Sequence, residues 1–191
     1  WSESRGLGDV YKRQYLNIMY KGISNKNSTM SLPVPMLNIM NGGCHANNNV
    51  DIQEFMIIPS NKFNFKDGLM KSVEVYTNLK SLLKEKGLSV SVGDEGGFAP
   101  NLKTSEEVLD LIILSIERAG LIYLDDMSIA LDCAASELFS EDSYKLTGEN
   151  KKFSSDEMVF YMQALVDKYK IKSVEDPFDE KDWDAWKTFT K

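Results

Sequence analysis

A chain of 191 residues with 42% hydrophobic and 10% aromatic residues can build a packed core, which excludes wholesale disorder. Its formal net charge of −7 lacks the basic surface expected of a nucleic-acid-binding protein. Two cysteines and one histidine exclude a zinc finger and favour a reducing, intracellular compartment, and the longest aliphatic run, 111–114, is far too short to span a membrane.

The first 31 residues are predicted to lie outside the main folding unit. Residues 9–14 form the string obtained by translating a transposon end sequence used in sequencing libraries, so we expect residues 1–14 to be an adaptor artefact. Residues 15–31 are polar and without periodicity, which is typical of the end of a preceding domain and a connection.

The main folding unit, 32–191, is predicted to begin with two strands. The first is the apolar run 32–40, which carries two prolines at its start and ends at the turn signal Asn41-Gly42-Gly43. The second is 51–58, stopped by Pro59. Because residues 41–50 are rather short for a helical crossover, we expect these two strands to be antiparallel neighbours.

Helices then alternate with strands. Apolar stripes, capping signals and terminal glycines predict three helices, over 66–86, 104–116 and 154–169, and a last one within 181–191. Short apolar runs predict strands at 88–92, 128–131 and 171–174, with a small hairpin between 144 and 150. This order indicates an α/β fold with a largely parallel sheet.

Three acidic residues each follow one of the predicted later strands. Glu95 follows 88–92, Asp132 follows 128–131 and Glu175 follows 171–174. In β/α barrels the functional side chains come from the carboxyl ends of several strands, and Mg²⁺ prefers oxygen ligands. Taken singly, each acid is also compatible with a helix cap, an ion pair or an acidic turn; together they predict a metal-assisted site at one mouth of a barrel.

Two further segments carry candidate site residues. Gln53 and Glu54 interrupt an apolar strand, where a charge costs desolvation unless it faces a polar cavity. His45 lies in a loop rich in glycine and asparagine that could fold over a substrate, although a lone histidine in such a loop is also commonly solvated. Cys133, beside Asp132, is interpreted as a small buried apolar residue rather than a nucleophile.

Read together, these segments closely resemble the enolase family. The resemblance covers nearly everything after the first 14 residues, in the family's order and spacing, and rests on 33–43, 45–46, 53–57, 93–101, 130–137 and 173–178. It implies the first part of an enolase-type C-terminal barrel over 32–191, incomplete because a whole barrel takes about 250 residues. The first two strands of that barrel are antiparallel.

The resemblance also implies roles for the candidate residues. Asp132 and Glu175 would be ligands of Mg²⁺, and Glu95 would be the general acid, assisted by Glu54. His45, Gln53 and Glu54 would contact the substrate. The implied reaction is the reversible dehydration of 2-phosphoglycerate to phosphoenolpyruvate.

The remaining expectations follow from the same resemblance. The family's third metal ligand and base lysine would lie beyond Lys191, so we expect this chain alone to lack turnover. The parent enzyme would be a cytoplasmic dimer or octamer, with a possible cell-surface or secreted fraction and with no nucleic-acid partner. Two alternatives stay open: a non-catalytic binding protein that retains enolase motifs, and a superfamily lyase with another substrate.

Overall fold

The four-stranded sheet begins with two antiparallel strands. A computed structural model describes residues 32–191, of which Val34–Lys191 form one compact unit. Strand β1 spans Leu37–Asn41 and β2 spans Glu54–Pro59, and they pair antiparallel as predicted. The predictions for 1–14 and 15–31 lie outside the described residues.

The sheet grows from β2 outwards. Strand β3, Met127–Asp132, pairs antiparallel with β2, and β7, Ser173–Glu175, pairs parallel with β3. The spatial order is β1-β2-β3-β7, which leaves one side of β7 without a neighbour in the described part of the chain. The four-stranded sheet of the described residues is therefore open rather than closed, as expected of part of a barrel.

Strand β1 begins later than the apolar run predicted. Pro33 and Pro35 have no backbone N–H to donate to a ladder, so pairing starts only at Leu37. Between Asn38 and Met40 the register with β2 shifts by one residue, which is a β-bulge.

The strand predicted at 88–92 is wrong. This segment connects two consecutive helices and makes only an isolated bridge between Val92 and Phe98. Val90 packs partly against the core while Val92 is 56% exposed, and the nearby backbone bonds join Ser91 to Ala99 and Gly93 to Gly97. With no neighbouring strand to pair with, the apolar alternation produces a loop, so Glu95 does not follow a strand.

The helices agree closely with their sequence signals. Their bounds are α1 Phe65–Glu85, α2 Ser105–Arg118, α3 Ser155–Tyr169 and α4 Trp183–Phe189. Gly87 and Gly120 follow α1 and α2 with φ of +70° and +73°, a backbone conformation that favours glycine. Ser154 and Glu157 form a complete capping box at the start of α3. Among the described residues, the helices are too short or too polar to cross a bilayer.

A small antiparallel sheet lies between β3 and α3, where the sequence predicted a hairpin. It consists of β4 Phe139–Ser140, β5 Ser143–Leu146 and β6 Lys151–Phe153. The main core lies between the helices and the outer face of the four-stranded sheet, where Phe55, Ile57 and Leu131 are fully buried. The inner face carries a row of polar side chains where β3 and β7 end, and the apolar residues Met56 and Ala130 farther along.

Candidate active site

Strand register places one polar residue from each strand in a row across the inner face of the sheet. Asn41 pairs with Glu54, Glu54 with Asp132, and Asp132 with Glu175. Because residues directly opposite each other on neighbouring strands point to the same face, these four side chains share one edge of the inner face. Three carboxylates thus lie side by side at the carboxyl ends of β3 and β7.

His45 joins this row from the loop between β1 and β2. It ends a short 3₁₀ turn, Gly43–His45, and its Nδ1 lies 3.3 Å from Oε1 of Glu54. Neither side chain is freely solvated, at 27% and 16% exposure. The loop is held at its base because Asn48 Nδ2 donates to the carbonyl oxygens of Asn41 and Pro100.

Glu95 reaches the site on a tight turn rather than on a strand. The turn is closed by a hydrogen bond from Gly93 N to Gly97 O, and it is fixed to the His45 loop by Asp94 N donating to His45 O at 2.9 Å. Its far end runs alongside β1, where Phe98 bonds to Ile39 and Asn41.

Tyr76 of α1 supports the same turn from behind. Its ring stacks on Phe98 with the centroids 4.3 Å apart, and its hydroxyl donates to Gly96 O. The sequence identified Tyr76 only as part of a helical stripe. No local signal in its sequence distinguishes it from a core residue.

The result is a cluster of His45, Glu54 and Glu95, whose ligand atoms all lie within 4.8 Å of one another. Burial raises the pKa of the Glu54 carboxyl, and the neighbouring carboxylates of Asp132 and Glu95 raise it further, while His45 opposes them. Glu54 therefore holds a proton more readily than an ordinary glutamate. Two such close carboxyl groups can share a proton between them.

Asp132 and Glu175 have the chemistry of a Mg²⁺ site. Burial raises the pKa of Asp132, offset only in part by the hydrogen bond that Ala134 N donates to Oδ1. Neither acid forms an ion pair with a basic side chain of the described residues. Adjacent oxygen donors without a cationic partner fit Mg²⁺, whereas the mixed set with His45 is better suited to a transition metal.

Gln53 lies apart from this cluster. It lines a neighbouring cavity of about 200 Å³ with Cys44, Glu137 and Cys133. Cys133 is buried, and burial raises the pKa of its thiol far above the ordinary value, in keeping with an inert packing role. The structure brings five of the six predicted residues to one edge of the sheet and places Gln53 on the cavity beside it.

Two asparagines of β1, on the same face as the acidic row, were not among the residues predicted from the sequence. The side-chain amides of Asn38 and Asn41 are buried, and neither has a hydrogen-bond partner within residues 32–191. A buried polar group left unpaired costs about 1–3 kcal/mol. Gln53 and Glu54 were predicted because a polar residue inside an apolar strand costs desolvation unless it faces a polar cavity. Asn38 and Asn41 give the same signal and could have been predicted in the same way.

The comparisons with known proteins agree with this geometry. Residues 29–191 match the family described as "Enolase, C-terminal TIM barrel domain". The chain belongs to the enolase family. The predicted fold class, a partial enolase-type barrel whose first two strands are antiparallel, is confirmed.

Curated enolases give the same assignment. Proteins named enolase from Legionella pneumophila strains Lens, Corby and Paris are each 50% identical to the chain over 166 residues. The alignments cover 87% of the chain but only 39% of each relative. The chain thus spans about two fifths of the length of these enolases.

Proposed function

We propose that this chain supplies part of the active site of a Mg²⁺-dependent enolase, which reversibly dehydrates 2-phospho-D-glycerate to phosphoenolpyruvate. The observation that carries the proposal is the convergence of Glu95 on Glu54 and His45, beside the acids Asp132 and Glu175. Family membership supports the same reaction. The whole enzyme would be a cytoplasmic homo-oligomer.

The dehydration removes hydroxide from one carbon of the substrate, which needs a proton donor. Glu95, exposed on its turn, is proposed as the general acid. Glu54, whose pKa is raised, is proposed to share the proton with Glu95 and to help keep one carboxyl group protonated. His45 and Gln53 are proposed to contact the substrate, His45 from the loop that covers the cluster.

Asp132 and Glu175 are proposed to hold Mg²⁺ with further ligands from the rest of the enzyme. When bound, the ion would offset the negative charge that develops on the substrate carboxylate as its neighbouring proton is removed. Glu54, paired with Asp132 in the strand register, would keep the acid end of the site next to the ion-binding end.

The decisive experiment uses a chimeric enzyme, which we call the reference enzyme. In it, the segment of L. pneumophila (strain Lens) enolase that corresponds to residues 29–191 of this chain is replaced by those residues. Formation of phosphoenolpyruvate from 2-phosphoglycerate is followed by ultraviolet absorbance. We expect turnover by the reference enzyme and a loss of roughly 10²–10⁴-fold in kcat on Glu95→Gln, the usual contribution of a general acid.

The matched control is Asp94→Asn, which removes a carboxylate from the same turn but outside the cluster. It should leave kcat close to that of the reference enzyme. An inactive reference enzyme, or equal losses for the two substitutions, would contradict the proposal. The purified 191-residue chain by itself should show no turnover.

A further inference from the structure

A β-bulge in β1 places the side chain of Asn41 on the inner face of the sheet. Asn38 and Asn41 are three residues apart, so in a regular strand they would point to opposite faces. The register shift between Asn38 and Met40 inserts one extra residue, so Asn38 faces Met56 and Asn41 faces Glu54. Met56 and Glu54 are two apart, and both asparagines therefore lie on the face of the acidic row.

The side chain of Asn41 also fills the space beneath the turn that carries Glu95. A Cβ built on Gly93 would lie 2.8 Å from Cβ of Asn41, and one built on Gly97 would lie 2.7 Å from its Oδ1. Both contacts are closer than real Cβ atoms tolerate, so the turn closes over Asn41 only because these positions are glycine.

The backbone of Asn41 connects the same parts of the site. Its N–H donates to Phe98 O at the end of the Glu95 turn, and its carbonyl accepts from Asn48 of the His45 loop. Asn41 thus touches the turn, the loop and the strand of Glu54. Its amide, at 1% exposure for the residue, is nevertheless without a partner in the described residues.

An unpaired amide in this position has a ready partner in the acids. Side chains directly opposite on antiparallel strands have Cβ atoms about 4.5–5.5 Å apart, so the amide of Asn41 is within reach of the Glu54 carboxyl group. An amide carries both a donor and an acceptor, and it can pair with either oxygen of a carboxyl group.

We propose that Asn41 is a positioning residue that sets the place of Glu95 relative to Glu54. It supports the Gly93–Gly97 turn, and in the substrate-bound enzyme its amide hydrogen bonds to the carboxyl groups of Glu54 and Glu95. This inference rests on the proposed function for its kinetic part only. Asn38 lies on the same face but opposite Met56, so its amide is not opposite a carboxyl group; it contacts the turn only at Gly97, where a Cβ would lie 2.9 Å from its Oδ1.

The test compares Asn41→Ala with Asn38→Ala in the reference enzyme, alone and combined with Glu95→Gln. Both substitutions leave a small cavity on β1 and also remove a buried unpaired amide, so the unfolding midpoints of the two variants should change little and by similar amounts. Only Asn41→Ala should lower kcat, by at least about tenfold at little changed KM, and that loss should shrink to less than about twofold when Glu95 is already glutamine. Equal losses in both backgrounds would show a merely structural role and overturn the proposal.

Hydrogen exchange gives a second measurement that needs no activity. The amides of Gly93, Asp94 and Gly96 hold the turn, and they should exchange faster in Asn41→Ala than in Asn38→Ala, because Asn41 contacts both Gly93 and Gly97 whereas Asn38 contacts only Gly97. Unchanged exchange at these amides would overturn the proposal for Asn41, whether or not the reference enzyme is active. An inactive reference enzyme would refute the proposed function and leave this measurement valid. Asn41→Ser, which keeps a donor and an acceptor, replaces Asn41→Ala if the latter does not fold.

Discussion

Burial of the Glu54 carboxyl group among other carboxylates affects the stability of the fold. Its carboxyl is largely buried beside other carboxylates, and its pKa is raised. In the interval between the unfolded and folded pKa values the native state binds more protons than the unfolded state. Stability from this group is therefore greatest below the ordinary glutamate pKa, and it falls as the pH rises through the folded pKa.

Glu54→Gln should consequently stabilise the protein while it abolishes the proposed role in catalysis. In metal-free reference enzyme, the unfolding midpoint of the variant should match that of the unsubstituted protein at acidic pH and exceed it increasingly as the pH rises. Thermal unfolding followed by circular dichroism at several pH values measures the difference. Glu74→Gln, on the exposed side of α1, is the control and should show no such trend; a variant that loses stability at neutral pH would contradict this account.

The sequence was enough to name the candidate site residues, but it did not predict how they come together. Asp132 and Glu175 were expected at the ends of neighbouring strands, and the ladder pairs them directly. Glu95 was expected there too, yet it arrives on a glycine turn held by Tyr76 and β1. That placement depends on contacts between distant segments, which periodicity does not encode.

Among the elements, the small sheet has a role that its sequence did not indicate. Its turn between β5 and β6 carries Glu149, whose side chain is only 3% exposed. The Glu149 carboxylate accepts hydrogen bonds from Ser105 and Tyr161 and forms an ion pair with Lys151. The backbone N–H groups of Gly148 and Glu149 donate to Asp51, at the base of the His45 loop. The small sheet thus connects α2, α3 and the His45 loop through hydrogen bonds.

The protonation of Glu149 should control this junction. Burial alone would raise its pKa, but the bonds from Lys151, Ser105 and Tyr161 outweigh burial and hold the pKa below its ordinary value. Stability from this group is therefore present above the unfolded pKa, about 4.5, and lost as the pH falls through the folded pKa.

Glu149→Gln should lower the free energy of unfolding by about 1–3 kcal/mol at neutral pH, the cost of weakening a buried hydrogen-bond network. The difference from the unsubstituted protein should diminish on acidification below the ordinary glutamate pKa, as measured by urea unfolding. Glu141→Gln removes an exposed ion pair with Lys145 and should have little effect at any pH. A difference that is constant with pH would argue against ionised Glu149 as the cause.

Local sequence patterns predicted the helices correctly but failed for one predicted strand. Helices α1 and α3 follow their capping residues and apolar stripes closely, because those signals are local. The run 88–92 has the alternation of a strand, yet it makes only the isolated bridge between Val92 and Phe98, and it is Phe98 that lies along the outer side of β1. Tertiary context therefore overrides the local pattern.

For the whole molecule, the decisive feature is the open sheet. One long side of β7 presents backbone donors and acceptors with no partner in the described part of the chain, while the outer side of β1 is partly covered by Phe98. An exposed strand edge is a template for pairing with another chain.

The purified 191-residue chain should therefore self-associate as its concentration rises, which light scattering after gel filtration would detect. Ser173→Lys places a charge on the open edge and should reduce the association, since edge lysines oppose strand pairing. Ser81→Lys adds the same charge on the exposed face of α1 and should not. Association that is equally strong in both variants would exclude β7 as the contact.

The bulge in β1 has a consequence for how this gene segment can vary. Ile39 is the extra residue of the bulge, so without it Asn38, Met40 and Asn41 would still lie opposite Met56, Phe55 and Glu54 in a regular ladder. Deletion of its codon would instead remove the carbonyl that accepts from Phe98 N and holds the far end of the Glu95 turn against β1. Replacement of Ile39 by another apolar residue changes only packing. Deletion of this one codon should therefore loosen the turn that carries Glu95 without changing the face on which Asn41 lies, whereas an apolar substitution keeps the carbonyl and the turn.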